Sequence, residues 1–281
     1  CWTTGYELLR GCKTVINKIP VADRETLEQG LKRLKLRYIR EIIDSANELA
    51  MEEEPGYIDF LAYLVEHETK MREETQRLKN MKRAKFPYLK TLDEFDYSFQ
   101  NSINQQSIKD LASLDFIHAK ENVIFLGPSG VGKSHLAIGL GVAAVNAGYK
   151  VRFYSFTELV EDLYASLADS SFNKRIDAIL KNNLIILDEL GYVSMDETAS
   201  DHIFKFIARA YEQRSLIVTS NLNFAEWGTL FANTSTAAAT LDRLLHHAHV
   251  FNMKGDSYRM RSRLIQPNIE QTNELPELVD N

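Results

Sequence analysis

An eight-residue loop, residues 127–134, constrains the fold of this chain more than any other feature. It reads Gly-Pro-Ser-Gly-Val-Gly-Lys-Ser and matches the pattern G-x-x-x-x-G-K-S/T at every fixed position. Residues 122–126 before it are apolar and β-prone, and residues 135–145 after it repeat Ala, Leu and Gly at helical spacing. A strand, a glycine loop and a helix in this order predict a phosphate-binding loop on a parallel sheet.

The residue types of this loop suit a bound polyphosphate. Its glycines let backbone N–H groups turn toward an anion, and the following helix N-terminus adds a partial positive charge. We expect Lys133 to reach the outer phosphates and the hydroxyl of Ser134 to bind Mg²⁺. The predicted nucleotide-binding residues are Gly127, Pro128, Ser129, Gly130, Val131, Gly132, Lys133, Ser134 and His135.

Segments of strand and helix type alternate through the second half of the chain. The predicted strands are 122–126, 150–155, 184–188, 215–219 and 249–253. The predicted helices are 103–118, 133–147, 156–167, 172–181, 198–213 and 237–246. Such alternation predicts an α/β fold with a parallel sheet and helices on both faces.

A helical module is expected before this sheet. Thr26 begins a capping-box pattern, and apolar residues then recur at helical spacing to Leu49. Residues 54–56, Glu-Pro-Gly, separate a second helical pattern, which Pro87 ends. Residues 91–100 are predicted to form an extended aromatic connector to the α/β part.

Composition excludes several classes of protein. The net charge is −6, which argues against a uniformly basic nucleic-acid coat but permits local basic surfaces. Cys1 and Cys12 are the two cysteines, too few for a disulfide framework or a zinc pattern, which suits a reducing cytoplasm. No apolar run approaches the length of a membrane span. We therefore expect a cytoplasmic protein without a membrane partner.

Two later strands end in polar side chains on the same side of the predicted sheet. Asp188 and Glu189 end an apolar strand, so Asp188 is expected to bind Mg²⁺ opposite Ser134, and Glu189 to orient or deprotonate water. Asn221 ends the next strand and is expected to contact that water or a phosphate. The alternatives are two solvated acids and a turn-forming asparagine.

Together, the glycine loop, Asp-Glu pair and strand-end Asn resemble the AAA+ ATPases, with Asn221 as the first sensor. The resemblance implies ATP, Mg²⁺ and an assembly in which a neighbouring subunit donates an arginine to the γ-phosphate. Arg243 is the first candidate and Arg214 the second; the alternative for Arg243 is a surface ion pair. The implied catalytic residues are Lys133, Asp188, Glu189, Asn221 and Arg243.

A wider set of segments is more specific. The chain resembles the IstB-type transposition helper ATPases, which are close to the DnaC-type helicase loaders. The segments that carry the resemblance are 127–137, 186–189, 218–222, 227–228, 242–250 and 254–259, with 92–96 as a lead-in. The similarity covers roughly residues 26–265. It implies an ATP-dependent oligomer that binds duplex DNA, marks or remodels the target, and recruits and stimulates a cognate transposase. ATP hydrolysis would promote disassembly.

This resemblance sets the expected domain organisation. Residues 1–25 are a leader of uncertain role, and residues 26–90 form a helical domain that binds DNA or a partner. Residues 91–265 form an AAA+ ATPase domain without a C-terminal lid domain. The polar, acidic tail 266–281 is expected to be disordered.

Basic residues are concentrated in the helical module, at 32–40 and 70–90. Phosphate contacts from them would give sequence-independent DNA affinity, although a solvated helix face is the alternative. The predicted DNA-binding residues are Lys79, Lys82, Arg83 and Lys85. A third basic group, expected to alternate as in a strand and to contact phosphate or protect the sheet edge, is Arg259, Arg261 and Arg263.

Two other functions stay open, and a metal site at the histidines is disfavoured. A helicase loader would use the helical module to bind a replicative helicase. A small-molecule kinase would share the glycine loop, but Glu189 and Asn221 suit water activation better. The spacing of His246, His247 and His249 fits neither one helical face nor a known zinc pattern.

Overall fold

The structure is a computed structural model that describes residues 23–166, 171–192 and 194–260. The chain divides into two compact units, Cys1–Glu74 and Thr75–Asn281. Residues 75–90, which we expected in the helical domain, therefore group with the second unit. The predictions for residues 1–22, for Arg261 and Arg263, and for the tail lie outside the described residues. Across the described part of the chain, no helix has both the length and the apolar character of a membrane span.

The first unit contains helices α1 (Arg24–Arg33), α2 (Arg37–Glu53) and the first part of α3 (Tyr57–Ala84). Its small apolar core consists of Leu31, Ile39, Ile43, Ala46 and Leu64. The prediction of one continuous helix before residue 54 is wrong, because Lys35 adopts a left-handed conformation with φ 58° between α1 and α2. The N-cap is Asp23 rather than Thr26, since the Asp23 side chain accepts a hydrogen bond from the Thr26 amide.

The second unit is built on a five-stranded, wholly parallel sheet. Its strands are β1 (Asn122–Leu126), β2 (Val151–Ser155), β3 (Leu184–Leu190), β4 (Ser215–Ser220) and β5 (Ala248–Asn252). Their order is β2-β3-β4-β1-β5. The helices are the end of α3, α4 (Gln105–Leu111), α5 (Asp115–Ala119), α6 (Lys133–Asn146), α7 (Phe156–Ala165), α8 (Phe172–Ile179), α9 (Glu197–Ala210) and α10 (Thr234–Leu245). The predicted fold class is confirmed.

Successive residues of the central strands bury opposite faces of the sheet. In β1, Val123 and Phe125 belong to the cluster that includes Leu136 of α6, whereas Ile124 belongs to the cluster that includes Phe206 of α9. Both faces are thus covered, which is why these strands are continuously apolar rather than alternating. Polar residues at their C-terminal ends are therefore exceptions that need a reason.

Two predicted segments differ from the structure. The helix expected over 103–118 is interrupted by Leu114, which has φ 68° and separates α4 from α5. The connector 91–100 forms turns instead of an extended segment, because the Asp96 carboxylate accepts from the amides of Ser98 and Phe99, each at 3.1 Å. These turns fold the connector back toward the glycine loop.

Candidate nucleotide-binding site

The glycine loop between β1 and α6 has a backbone that other residues would not tolerate. Gly127, Gly130 and Gly132 have φ values of 143°, 85° and 101°. A β-carbon at Gly127 would lie 2.1 Å from the Met253 carbonyl oxygen, and one at Gly132 would lie 2.6 Å from the Phe95 ring. The pattern therefore requires glycine here for both conformation and space.

Lys133 lies folded against its own loop. Its Nζ donates to the carbonyl oxygens of Gly127 and Pro128, both at 2.7 Å. Burial lowers the pKa of Lys133, and the nearby carboxylates of Asp188 and Glu189 oppose that shift. An ammonium group held only by carbonyl oxygens is poised to exchange them for phosphate oxygens, which are stronger acceptors.

Asp188 connects the glycine loop to two strands. Its Oδ1 accepts hydrogen bonds from Ser134 Oγ at 2.8 Å and from Thr219 Oγ1 at 2.5 Å. The Asp188 side chain is buried at the end of β3, so these hydroxyls replace the water that the carboxylate has lost. The sequence predicts the pairing of Asp188 with Ser134 but not the role of Thr219. The feature that could have identified Thr219 is its hydroxyl within the otherwise apolar strand β4.

Glu189 is turned away from Asp188 by a local change of backbone. It has φ 64°, and the pairing of β3 with β4 shifts register between Leu187 and Leu190. The Glu189 amide donates to Thr219 Oγ1 at 2.9 Å, while the Glu189 side chain is exposed. The bulge thus gives two adjacent carboxylates different environments.

These residues surround one cleft of about 310 Å³ in the second unit. Of the predicted site residues, the cleft wall includes Ser129 to His135, Glu189 and Asn221; Asp188 reaches it through Ser134. The same wall contains Phe95, Asp96 and Phe99 of the connector, on which nucleotide closure is expected to rely in the absence of a lid domain. It also contains residues that the sequence does not point to: Tyr88, Lys90, Glu94, Gln100, Tyr192, Thr219, Tyr258 and Arg259.

The connector packs directly on the glycine loop. Nε2 of His135 donates to the Thr91 carbonyl oxygen at 2.8 Å, and Nε2 of Gln100 donates to the Val131 carbonyl oxygen at 3.1 Å. The Phe95 ring meets the His135 ring edge to face at 5.3 Å. Burial lowers the pKa of His135, so the neutral imidazole is favoured.

A segment after β5 closes the other side of the loop. The Tyr258 amide donates to the Gly130 carbonyl oxygen at 3.0 Å, and the rings of Tyr258 and Phe99 meet at 5.2 Å. Arg259 lines the cleft from this segment. The prediction that Arg259 lies in a strand is wrong, because residues 258–260 form a helical turn.

The two candidate arginine fingers lie outside this cleft. The Arg243 guanidinium stands over the Phe204 ring at 5.1 Å, and its Nη1 donates to the Ala239 carbonyl oxygen at 2.7 Å. Arg214 donates from Nε to the Leu180 carbonyl oxygen at 2.5 Å. Neither arginine borders the nucleotide cleft of its own chain, and the finger role stays a prediction.

The remaining candidate residues, for DNA binding and for a metal site, lie in separate parts of the second unit. The predicted DNA-binding residues are exposed at the C-terminal end of α3, in the second unit: Lys79, Lys82, Arg83 and Lys85. Glu212, which sequence reasoning did not consider, has a ligand atom within 4.8 Å of those of His246 and His247, and all three are exposed. His249 instead contacts Glu121 at 2.7 Å.

Solved structures share this fold. AMPPCP-bound DnaA from Aquifex aeolicus matches with a TM-score of 0.51 at 19% identity, over 62% of this chain and 54% of that one. Domain III of DnaA from Thermotoga maritima matches with a TM-score of 0.51 at 14% identity, over 62% and 70%. These similarities confirm the AAA+ P-loop fold of the second unit.

Sequence relatives identify the family. The ATP-binding protein of insertion sequence IS21 from Pseudomonas aeruginosa is 39% identical over 84% of this chain and 89% of its own. That of IS5376 from Geobacillus stearothermophilus is 38% identical over 86% and 97%. The model of the IstB-like ATP binding protein family matches residues 29–265. These matches confirm the predicted family and ATPase class: the chain belongs to the IstB-like ATP binding proteins.

Proposed function

We propose that this chain is an ATP-hydrolysing regulator of transposition that assembles on duplex DNA in the cytoplasm. It remodels or marks the target and recruits and stimulates the cognate transposase, and ATP hydrolysis promotes disassembly. The observation that carries the proposal is the hydrogen-bonded set of Ser134, Asp188 and Thr219 beside the exposed Glu189. The relatives' names, ATP-binding proteins of insertion sequences, support the transposition context.

The donors at this site fit Mg²⁺. The Ser134 hydroxyl and the Asp188 carboxylate are hard oxygen donors one hydrogen bond apart, the ligand type that Mg²⁺ prefers. Ser134 and Asp188 would hold the ion. When bound, Mg²⁺ neutralises charge on the outer phosphates.

The other residues of the cleft have complementary roles. Lys133 and the backbone N–H groups of residues 129–134 bind the phosphates, for which the loop geometry is suited. Glu189 orients the attacking water and accepts its proton, because its carboxylate is exposed next to the loop rather than engaged like that of Asp188. Asn221 hydrogen-bonds the water or the γ-phosphate from the end of β4.

Assembly completes the site. Arg243 borders no part of its own nucleotide cleft, which supports a role toward the cleft of a neighbouring subunit. Such an arginine contributes about 10³–10⁵ in rate in related phosphoryl-transfer sites. The exposed cations Lys79, Lys82, Arg83 and Lys85 supply phosphate contacts with DNA.

The test is to image the protein with duplex DNA and ATP, and to measure phosphate release in parallel. Glu189→Gln should lower phosphate release by about 10²-fold or more while ATP binding persists, since a general base contributes that much. We expect its DNA-bound assemblies to outlast those of the wild type, and Lys133→Ala to form none. Phosphate transfer to a small acceptor without hydrolysis would indicate a kinase. Binding of a helicase in place of duplex DNA would indicate a helicase loader.

A further inference from the structure

Two loops come close together at the N-terminal ends of the strands. One loop follows α9 and leads into β4, and the other follows α10 and leads into β5. Strands β4 and β5 both pair with β1, so the two loops lie on either side of the start of β1. The glycine loop follows the opposite end of β1, and the nucleotide cleft is lined by neither residues 211–214 nor residues 246–247.

Three side chains that can bind a metal converge from these two loops. Glu212 belongs to the first loop, and His246 and His247 belong to the second; their ligand atoms all lie within 4.8 Å of one another. Oε1 of Glu212 is 3.9 Å from Nε2 of His247. Two ligands of a tetrahedral zinc ion, each about 2.1 Å from the metal, are roughly 3.4 Å apart. The three side chains are exposed, so small rotations about their χ angles bring the ligand atoms to that spacing.

Hydrogen bonds fix the backbone of both loops. In the first loop the Arg214 amide donates to the Ala210 carbonyl oxygen at 2.9 Å, and Glu212 between them has φ 55°. In the second loop the His247 carbonyl oxygen accepts from the Asn122 amide at 2.7 Å. The loops therefore hold the three side chains close together before an ion binds, which lowers the entropic cost of binding.

A tyrosine contacts one of the two imidazoles. The Tyr211 hydroxyl lies 2.7 Å from Nδ1 of His246 and orients that ring. Histidines that bind a metal commonly use their other ring nitrogen for a contact of this kind. A helix C-terminus favours positive charge and explains histidines at the end of α10. It does not explain why a carboxylate and a tyrosine of a different loop converge on them.

The ligand set indicates the class of ion. Imidazole suits divalent transition ions such as Zn²⁺, whereas Mg²⁺ prefers oxygen ligands. Two histidines and a glutamate form a known zinc ligand set that leaves a fourth position for water or another ligand. The histidine spacing in the sequence did not predict this set, because the third ligand is Glu212 rather than His249, which contacts Glu121.

We propose that Glu212, His246 and His247 bind a divalent transition ion of the Zn²⁺ class, at the end of the sheet opposite the nucleotide. The ion joins the loop after α9 to the end of α10. The Tyr211 hydroxyl is the outer-shell partner that orients His246. This binding site does not depend on the proposed function.

The two helices that the ion joins also hold Arg243. Its guanidinium lies over the Phe204 ring of α9, and its Nη1 donates to the Ala239 carbonyl oxygen of α10. A bound ion therefore stabilises the helix pair that positions this arginine. Only this consequence rests on the proposed function, in which Arg243 acts on the nucleotide of a neighbouring subunit.

Zn²⁺ binding to the full chain tests the site, measured by competition with a chromophoric chelator in excess Mg²⁺. Every protein carries Cys1→Ser and Cys12→Ser, because thiolates also bind Zn²⁺. We expect one Zn²⁺ per chain, and a loss of about 100-fold or more in affinity in His247→Gln and in Glu212→Gln, while Tyr211→Phe loses about tenfold, the effect of an outer-shell partner. The matched control is His249→Gln, which removes an exposed histidine of β5 and should bind Zn²⁺ like the parent protein.

Thermal unfolding gives a second readout. Zn²⁺ at about 100 times its dissociation constant should lower the unfolding equilibrium constant of the parent protein about 100-fold, and so raise its Tm. The same addition should leave the Tm of His247→Gln unchanged. Without Zn²⁺ the two proteins should unfold alike, because the His247 side chain is exposed.

The contrary results are distinct. A parent protein that binds no Zn²⁺ overturns the site and reduces the cluster to an ion pair between Glu212 and His247. Zn²⁺ affinity that survives in both His247→Gln and Glu212→Gln, or that falls equally in His249→Gln, places the ion elsewhere and also overturns it. All of these results leave the proposed function standing. A chain that binds Zn²⁺ as expected but releases no phosphate from ATP contradicts the proposed function and leaves the metal site standing.

Discussion

Asp188 and Glu189 are adjacent in the sequence but have different surroundings at the end of β3. The Asp188 side chain is buried and accepts from two hydroxyls, whereas Glu189 is exposed because its backbone takes a left-handed conformation. Such strain persists only where neighbouring contacts hold it, and here Thr219 accepts a hydrogen bond from the Glu189 amide. One threonine thus supports both residues, Asp188 through its carboxylate and Glu189 through its backbone amide.

Thr219→Val tests that support. The substitution leaves the Asp188 carboxylate with one hydroxyl fewer and the Glu189 amide without its acceptor, in a fully buried position. We expect the free energy of unfolding to fall by about 1–3 kcal/mol, and phosphate release to fall because Glu189 loses its orientation. Thr219→Ser keeps the hydroxyl and should retain most activity. Urea unfolding and phosphate release measure the two effects, and an active, fully stable Thr219→Val would contradict the assignment.

His135 gives a pH dependence with a defined sign. Burial lowers its pKa in the folded protein, so the unfolded chain binds a proton more readily. Its contribution to stability is complete above the unfolded pKa of about 6.5 and declines as the pH falls below that value. His135→Gln should therefore flatten the stability profile between about pH 5 and 7. His202, whose pKa is also lowered by burial, provides the matched variant His202→Gln. A profile unchanged in His135→Gln would contradict this role.

At the scale of elements, the sheet could be predicted because its strands are apolar throughout and each is followed by a helical pattern. The two helix interruptions could not be predicted, because non-glycine residues, Lys35 and Leu114, take up left-handed conformations there. The same applies to β3, which extends to Leu190 rather than ending at Asp188, because Glu189 forms a bulge and the strand resumes pairing. Tertiary contacts determine the backbone conformation at such positions, so the local sequence pattern does not predict it.

The contact between the connector and the glycine loop gives an element-scale prediction. Gly132→Ala and Gly148→Ala both place a β-carbon at positive φ, 101° and 90°, but only the first meets a neighbour, the Phe95 ring. Both should lose about 1–2 kcal/mol of stability from backbone strain. Gly132→Ala alone should also weaken ATP binding, by about tenfold or 1.4 kcal/mol. Equal ATP affinities in a titration with a fluorescent nucleotide would show that the connector does not shape the site.

At the scale of the whole molecule, sequence reasoning located the phosphate loop and the polar strand ends, because their residue types are tied to chemistry. It assigned the basic cluster at residues 79–85 to the helical module, whereas these residues group with the ATPase unit. A single helix, α3, continues through the division between the units, so no break in the local pattern marks it. The position of the turn that carries Arg259 could not be predicted either, since only folding brings it to the loop.

The central claim is that another subunit completes each nucleotide site on DNA, and phosphate release from mixed variants tests it most directly. Glu189→Gln disables hydrolysis at a subunit's own site but keeps ATP binding, assembly and Arg243, whereas Arg243→Ala keeps Glu189 and removes the arginine. We predict that each variant alone is nearly inactive with duplex DNA and that a mixture regains activity, because some interfaces pair an intact Glu189 with an intact arginine. Wild-type turnover by Arg243→Ala alone, or a mixture as inactive as its components, would contradict the claim.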